Sequence, residues 1–332
     1  MIVDTLPKAL LRSVEQHPDK PALLVKRDRK YHPITYRELH RRVYACARGL
    51  HALGVRTGDR VAILAENSAE WAITDWANLC LGALTVPIYP TLTAQQVAEI
   101  MRDAEPVLML VSEKRQLRKA QEALEETGLS MRFVTIQPVE GSEIATFEEL
   151  LQLPGELTES QFQQIACSIE PDEVATLIYT SGTTGEPKGA MLTHRNFVSN
   201  IEACLQVIEW NPNDLFLSFL PLSHVFERCC GHFLPLYTGL SIAYAESLFT
   251  LAADMLTVRP TLMLGVPRFF ESVRDRILSS VREQTPLKQK LFWWALAVGK
   301  EVARCWREGR PCPLRARLAH RVLDRLVGEK IR

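Results

Sequence analysis

The chain has 332 residues, of which 47% are hydrophobic and 23% charged, as in ordinary globular proteins. Lysine plus arginine and aspartate plus glutamate each number 39, so the formal charge is zero and no overall field draws the chain to nucleic acid. The eight cysteines form no Cys-x-x-Cys pair and no His/Cys spacing suited to zinc. We therefore expect a cytoplasmic protein with reduced thiols and no nucleic-acid partner.

Neither export nor a membrane span is predicted. The first residues lack the basic-then-apolar order of a signal peptide. The apolar stretch 291–298 is far shorter than the roughly 20 residues that a spanning helix needs.

From residue 20 to residue 137, short β-rich runs alternate with amphipathic helical patterns, which indicates an α/β fold. The predicted strands are 22–26, 60–65, 84–89, 107–111 and 132–136, and the predicted helices are 35–53, 69–82, 93–104, 113–128 and 146–153. Thr93 and Gln96 have the spacing of a capping box. The uninterrupted apolar run 107–111 is typical of a buried parallel strand. We predict mostly parallel sheets flanked by helices.

The second half begins after a polar stretch, 154–171, that we interpret as a linker. Beyond it the patterns predict a strand, a Gly/Thr loop, a helix, a second strand and a further apolar run. These elements occupy residues 174–179, 179–189, 193–208, 215–220 and 261–266. We predict one subdomain at 1–170 and an incomplete second one at 171–332.

The last segment is basic. Residues 300–332 carry ten Lys or Arg against four Asp or Glu, a charge of +6, in a helix-like pattern. Together with Trp293 and Trp294 this segment has the composition of an element at a membrane surface, although packing against other parts of a larger protein is the explanation that we favour. Peripheral membrane contact and oligomeric state are left open.

The strongest chemical signal is a glycine- and hydroxyl-rich loop directly after the apolar strand. It reads Tyr179-Thr180-Ser181-Gly182-Thr183-Thr184-Gly185-Glu186-Pro187-Lys188-Gly189. Its glycines allow backbone N–H groups to turn toward an anion, its hydroxyls add donors, and Lys188 adds a positive charge. The spacing is not that of a Walker A loop, because Gly189 and not Ser or Thr follows Lys188. We expect the loop to bind polyphosphate.

This loop resembles the signature of the adenylate-forming (AMP-binding) enzymes, which include acyl-CoA synthetases and luciferases. The resemblance continues through 58–63, 71–89 and 220–228, and the segment 259–271 resembles the long-chain fatty acid branch. It implies the layered α/β amino-terminal domain of that superfamily and a long-chain fatty acid–CoA ligase. Such an enzyme uses ATP, Mg²⁺ and coenzyme A, and it forms an acyl-adenylate before the thioester.

The resemblance also implies site residues. ATP-binding positions are Thr180, Ser181, Gly182, Thr183, Thr184, Gly185 and Lys188. Thr180 would contribute an oxygen to Mg²⁺, and Lys188 and His224 would act in catalysis. His224 follows the strand that ends at Pro221, where a side chain can reach a ligand, and the resemblance places it beside the acyl carboxylate.

Later motifs of the family, such as the adenine-binding Tyr-Gly-x-Thr-Glu, do not occur downstream of the loop. We therefore expect an amino-terminal fragment without the mobile carboxy-terminal domain and with little or no ligase activity by itself. Two alternatives remain: a fatty acyl-AMP ligase that feeds a carrier protein, and a non-catalytic module that binds nucleotide or acyl chains.

Overall fold

The computed structural model describes residues 3–181 and 187–329, with Ser181 described for its backbone alone. Contacts divide the chain into two compact units, Met1–Leu264 and Gly265–Arg332. The predicted subdomain boundary near residue 170 lies inside the first unit, between a helix and a strand of its larger sheet. None of the helices among the described residues is long and apolar enough to span a bilayer.

The first unit contains all ten strands of the described residues. They are β1 (Pro21–Arg27), β2 (Lys30–Thr35), β3 (Arg60–Leu64), β4 (Leu84–Ile88), β5 (Leu108–Val111), β6 (Arg132–Thr135), β7 (Val174–Ser181), β8 (Pro187–Thr193), β9 (Leu215–Ser218) and β10 (Ser241–Tyr244). Its helices are α1 (Leu6–Gln16), α2 (Tyr36–Ala52), α3 (Ala69–Cys80), α4 (Ala94–Ala104), α5 (Lys114–Thr127), α6 (Phe147–Gln152), α7 (Glu159–Ser168), α8 (His194–Val207), α9 (Leu234–Tyr237) and α10 (Leu251–Val258), and a π-helical segment covers Glu227–Phe233.

The larger sheet has six strands in the order β6-β5-β3-β4-β7-β8. The first five run parallel and β8 returns antiparallel to β7. Alternate residues of β3 belong to two different hydrophobic clusters: Val61 and Ile63 join one, Ala62 and Leu64 the other. Side chains of a strand alternate between faces, so both faces of this sheet are covered by helices. The predicted parallel α/β architecture is confirmed.

The smaller sheet has the order β2-β1-β10-β9. Strands β1 and β2 form an antiparallel hairpin, while β10 lies parallel to β1 on one side and to β9 on the other. Strands β1 and β9 are predicted from the sequence, whereas their partners β2 and β10 are not. Strand β2 lies at the sheet edge and contains Pro33 and several polar residues, and β10 is only four residues long.

Two predictions about local structure are wrong. The stretch 154–171 is not only a linker, because it contains α7, whose start is fixed by a capping box between Thr158 and Gln161. Phe162 and Ala166 on this helix are buried in the core. The predicted loop 179–189 is too long at both ends, because β7 continues to Ser181 and β8 begins at Pro187; residues 182–186 lie outside the described residues.

The second unit is helical. It consists of α11 (Pro267–Arg282), α12 (Pro286–Arg307), α13 (Leu314–Leu323) and a π-helical turn, Asp324–Gly328. Its buried residues are few and come from α12 and α13; they are Val298, Val302, Cys305, Ala316 and Leu323. Much of its apolar surface is therefore exposed.

Candidate functional site

The described ends of the glycine-rich segment belong to the antiparallel strands β7 and β8. Thr180 and Lys188 lie opposite each other in the antiparallel register, and both are exposed. Partners in register project from the same face of a sheet, so the hydroxyl and the ammonium group share one side of the hairpin. Ser181 is the last residue of β7. The predicted ATP-binding residues Gly182, Thr183, Thr184 and Gly185 lie outside the described residues.

Gly189 has a packing role that the sequence analysis did not anticipate. A Cβ atom at this position would lie 2.9 Å from Cζ of the Tyr179 ring, so only glycine admits the ring there. The Tyr179 hydroxyl donates a hydrogen bond of 2.5 Å to Oδ2 of Asp103 on α4, and burial, with this bond, raises the pKa of Tyr179. The hairpin is thereby fixed to α4 directly before Thr180.

A groove of 270 Å³ opens beside the hairpin. Its walls come from the end of β4, from α4 and from both hairpin strands, and they include Tyr89, Leu92, Ile100, Tyr179, Thr180 and Pro187. Most of this lining is apolar, which suits a ring or an aliphatic chain rather than a bare ion. Among the described residues, no three His, Cys, Asp or Glu side chains are grouped to hold a metal.

His224 begins a helical turn after β9. Its ring Nδ1 accepts a hydrogen bond of 3.2 Å from the backbone N–H of Phe226, and its carbonyl accepts one of 3.0 Å from the N–H of Arg228. The side chain is exposed. An accepting Nδ1 in a neutral ring leaves the proton on Nε2, which can donate to a ligand.

Asn67 positions this turn. Its Nδ2 donates to the carbonyl of Leu220 at 2.7 Å and to Oγ of Ser218 at 3.3 Å, and its Oδ1 accepts from the N–H of Leu222 at 2.9 Å. Asn67 follows β3 at the carboxyl edge of the larger sheet. Strand β7 runs parallel to β4, which runs parallel to β3, so Thr180 lies at that same edge.

A buried ion pair connects the π-helical segment to α3. Arg228 and Asp75 are both fully buried and bond in a bidentate manner, at 3.0 Å from Nε to Oδ2 and 2.5 Å from Nη2 to Oδ1. Nη1 of Arg228 also donates to Oγ1 of Thr176 on β7 at 2.5 Å. Burial alone would raise the pKa of Asp75, but the charge of Arg228, together with the hydrogen bonds from His232 and Arg228, outweighs burial and lowers that pKa.

This network fixes the position of His224 relative to the β7–β8 hairpin. Arg228 lies four residues after His224, and Thr176 lies four residues before Thr180. The two candidate catalytic segments are therefore attached to one another through side chains that carry no exposed atoms. Neither Asp75 nor Arg228 was singled out from the sequence, since nothing in the pattern links residues 153 positions apart.

Glu227 is a second buried acid that the sequence analysis overlooked. Only 1% of its surface is exposed, and its Oε2 has no hydrogen-bond partner among the described residues. Burial raises the pKa of Glu227 to about 8, so its carboxyl group is largely neutral at pH 7. A Cβ at Gly231 would lie 2.6 Å from its Oε1, so glycine is needed one turn further along the π-helix.

The family described as "AMP-binding enzyme" matches residues 10–319. A long-chain-fatty-acid–CoA ligase of Xenopus laevis, ACSBG2, is 29% identical over 99% of this chain and 45% of its own length. A long-chain-fatty-acid–CoA ligase of Mycobacterium bovis, FadD15, is 32% identical over 90% of this chain and 49% of its own length. The chain thus spans about half the length of these relatives.

Solved structures resemble the fold. The adenylation domain of a carboxylate reductase from Mycobacterium chelonae has a TM-score of 0.71 at 27% identity, covering 85% of this chain and 49% of that one. A long-chain-fatty-acid CoA ligase structure from Rhodopseudomonas palustris, described there as putative, has a TM-score of 0.69 at 24% identity, covering 82% and 65%. The fold prediction is confirmed at the level of the superfamily.

We predict that Arg228→Met lowers the free energy of unfolding by about 3–5 kcal/mol, because Asp75 would remain buried without its partner. The double variant Asp75→Leu/Arg228→Met removes both charges and should lose less than either single variant. As a control, Arg195→Met breaks an exposed pair with Asp172 and should cost under about 1 kcal/mol. Urea unfolding followed by circular dichroism measures these variants and the single variant Asp75→Leu. A double variant as unstable as the summed singles would contradict the prediction.

The raised pKa of Glu227 predicts that the free energy of unfolding depends on pH. Its carboxyl is protonated in the folded chain up to about pH 8 but ionises near pH 4.5 once unfolded, so the unfolded chain binds fewer protons between these values. The free energy of unfolding should therefore fall as the pH rises from about 4.5 to about 8. Glu227→Gln should remove this loss, gaining on the order of 2–4 kcal/mol over the parent near pH 8. Urea unfolding at a series of pH values measures this. If the free energy of unfolding changed with pH in the same way for the parent and for Glu227→Gln, the prediction would be wrong.

Proposed function

Since the chain belongs to the AMP-binding enzyme family, we propose that it forms the ATP- and acyl-binding part of a long-chain fatty acid–CoA ligase. The observation that carries the proposal is the pairing of Thr180 with Lys188 at the end of a hairpin, on the sheet edge to which the His224 turn is also attached. The two ligases of Xenopus laevis and Mycobacterium bovis support the long-chain substrate.

In the proposed reaction, a fatty acid carboxylate attacks the α-phosphorus of ATP and releases pyrophosphate. The thiol of coenzyme A then attacks the acyl carbon of the acyl-adenylate, and AMP leaves. Bringing a carboxylate to a polyanion requires positive charge and donors held in place before the reactants meet. Lys188 supplies the charge and Thr180 a hydroxyl, both exposed on one face of the hairpin.

Mg²⁺ is part of the proposal. Its preferred ligands are phosphate oxygens, waters and one or two protein oxygens, and Thr180 offers one such oxygen beside Lys188. Phosphate oxygens of ATP, waters and a carboxylate oxygen would complete the coordination.

A fatty acyl-AMP ligase that feeds a carrier protein is the second candidate, since the likeness to the adenylation domain of a carboxylate reductase is a likeness to an enzyme that is not named a CoA ligase. Analysis of the acyl product with coenzyme A and with a carrier protein separates the two. We also propose that the protein works in the cytoplasm with peripheral contact to a membrane, and that the 332-residue chain alone has little ligase activity.

The role of the loop predicts a loss of pyrophosphate release. We expect Lys188→Ala and Thr184→Ala to lower kcat/KM for ATP by roughly 100-fold each, because each removes a group that stabilises the charge shifting to pyrophosphate. The assay uses ATP, Mg²⁺ and palmitate with the protein made from its complete gene, and with the 332-residue chain for comparison. Lys30→Ala, an exposed lysine of β2, is the control and should stay at parent activity. Unchanged rates for Lys188→Ala would refute the assignment.

His224 can be tested by paired substitutions. His224→Ala removes the ring and the acceptor for the Phe226 N–H, whereas His224→Asn removes the ring but keeps an acceptor of similar reach. We expect both variants to raise KM for palmitate by roughly 10- to 100-fold, because a hydrogen bond to a carboxylate is lost. If His224→Asn restores parent activity, the histidine serves only to cap the turn.

A further inference from the structure

Charge is divided unequally between the two compact units. Gly265–Arg332 contains 16 Lys and Arg against 7 Asp and Glu, a formal charge of +9, whereas the preceding unit contains 23 against 32, a charge of −9. The zero net charge of the chain hides this division. A surface with such an excess of positive charge attracts anionic partners over about a Debye length.

Helix α13 presents apolar side chains outward. Leu314, Leu318 and Val322 follow one another at four-residue intervals and are 73%, 63% and 58% exposed. The same helix buries Ala316 and Leu323. At 100° per residue the exposed stripe and the buried side lie on opposite faces of the helix. A helix of a globular protein normally places its large apolar residues inward, so α13 has the reverse arrangement.

Basic side chains accompany the stripe. Arg317, Arg321 and Arg325 are exposed and line a cavity of 620 Å³ together with Trp306, which is itself 76% exposed. Asp324 and Glu329 are the acidic members of the lining. An aromatic ring and guanidinium groups beside an exposed apolar stripe form the combination that lies at the boundary between lipid headgroups and acyl chains.

We propose that α13 and the π-helical turn after it dock on an anionic phospholipid membrane. The apolar stripe enters the headgroup region, and the arginines bind lipid phosphates around it. Charge disfavours a symmetric contact between the same faces of two copies, because two units of +9 repel each other, and it favours an anionic partner. The apolar stripe favours lipid over nucleic acid, because the phosphates of a nucleic acid offer no apolar surface for three exposed aliphatic side chains. Docking on the membrane does not require ligase activity, so a negative ligase assay would not contradict it.

The test is flotation of the 332-residue chain with vesicles of phosphatidylcholine alone and of equal parts phosphatidylcholine and phosphatidylglycerol. We expect binding to the anionic vesicles, weakened by salt, and little to the neutral ones. Arg317→Gln/Arg321→Gln/Arg325→Gln should reduce the partition coefficient by on the order of 100-fold. The control Lys114→Gln/Arg118→Gln/Arg132→Gln removes three exposed charges from the first unit and should have no such effect.

The apolar stripe is tested separately by Leu314→Gln/Leu318→Gln, which we expect to weaken binding by roughly tenfold. Leu248→Gln/Leu256→Gln, at similarly exposed positions of the first unit, is its control. Circular dichroism confirms that the helices persist. Equal binding to neutral vesicles overturns the proposal. So does undiminished binding by the leucine variant, which would indicate a purely electrostatic surface suited to nucleic acid. A dimer that the leucine variant dissociates would assign the stripe to a second copy.

Discussion

The ion pair between Asp75 and Arg228 is the interaction on which the arrangement of the first unit depends. Two charges without any exposed surface are tolerable only because each is held by several hydrogen bonds. Arg228 reaches Asp75 on α3 and Thr176 on β7, and Thr176 in turn donates to the carbonyl of Thr85 on β4 at 2.5 Å. The guanidinium group of Arg228 therefore links α3, β7 and, through Thr176, β4 to the segment after β9.

This constraint explains how two sheets contribute to one candidate site. The hairpin with Thr180 belongs to the six-stranded sheet, whereas His224 follows β9 of the four-stranded sheet. Asn67 holds the turn before His224 and Arg228 holds the residues after it, so the turn is anchored on both sides. A site built this way stays pre-organised although its own residues are exposed.

Local patterns predicted the elements whose burial is evident from a few neighbouring residues. The run of β5 is apolar throughout, and β3 and β4 are apolar except for Arg60 and Thr85. The capping box of α4 is visible as Thr93 and Gln96. Elements that depend on distant partners were missed: β10 is stabilised by β1, more than 200 residues earlier. The same limit applies to the site. The loop could be identified by its motif, whereas the ion pair and the protonated Glu227 arise only when distant segments meet in a dry interior.

The opposite charges of the two units also govern how the purified chain behaves on a column. Its isoelectric point near 7.1 suggests a protein that neither anion nor cation exchangers retain at neutral pH. Retention, however, depends on the charge that faces the resin, and the two units carry net formal charges of −9 and +9. The chain should therefore be held by both kinds of resin at low ionic strength and released by salt, as a block polyampholyte is.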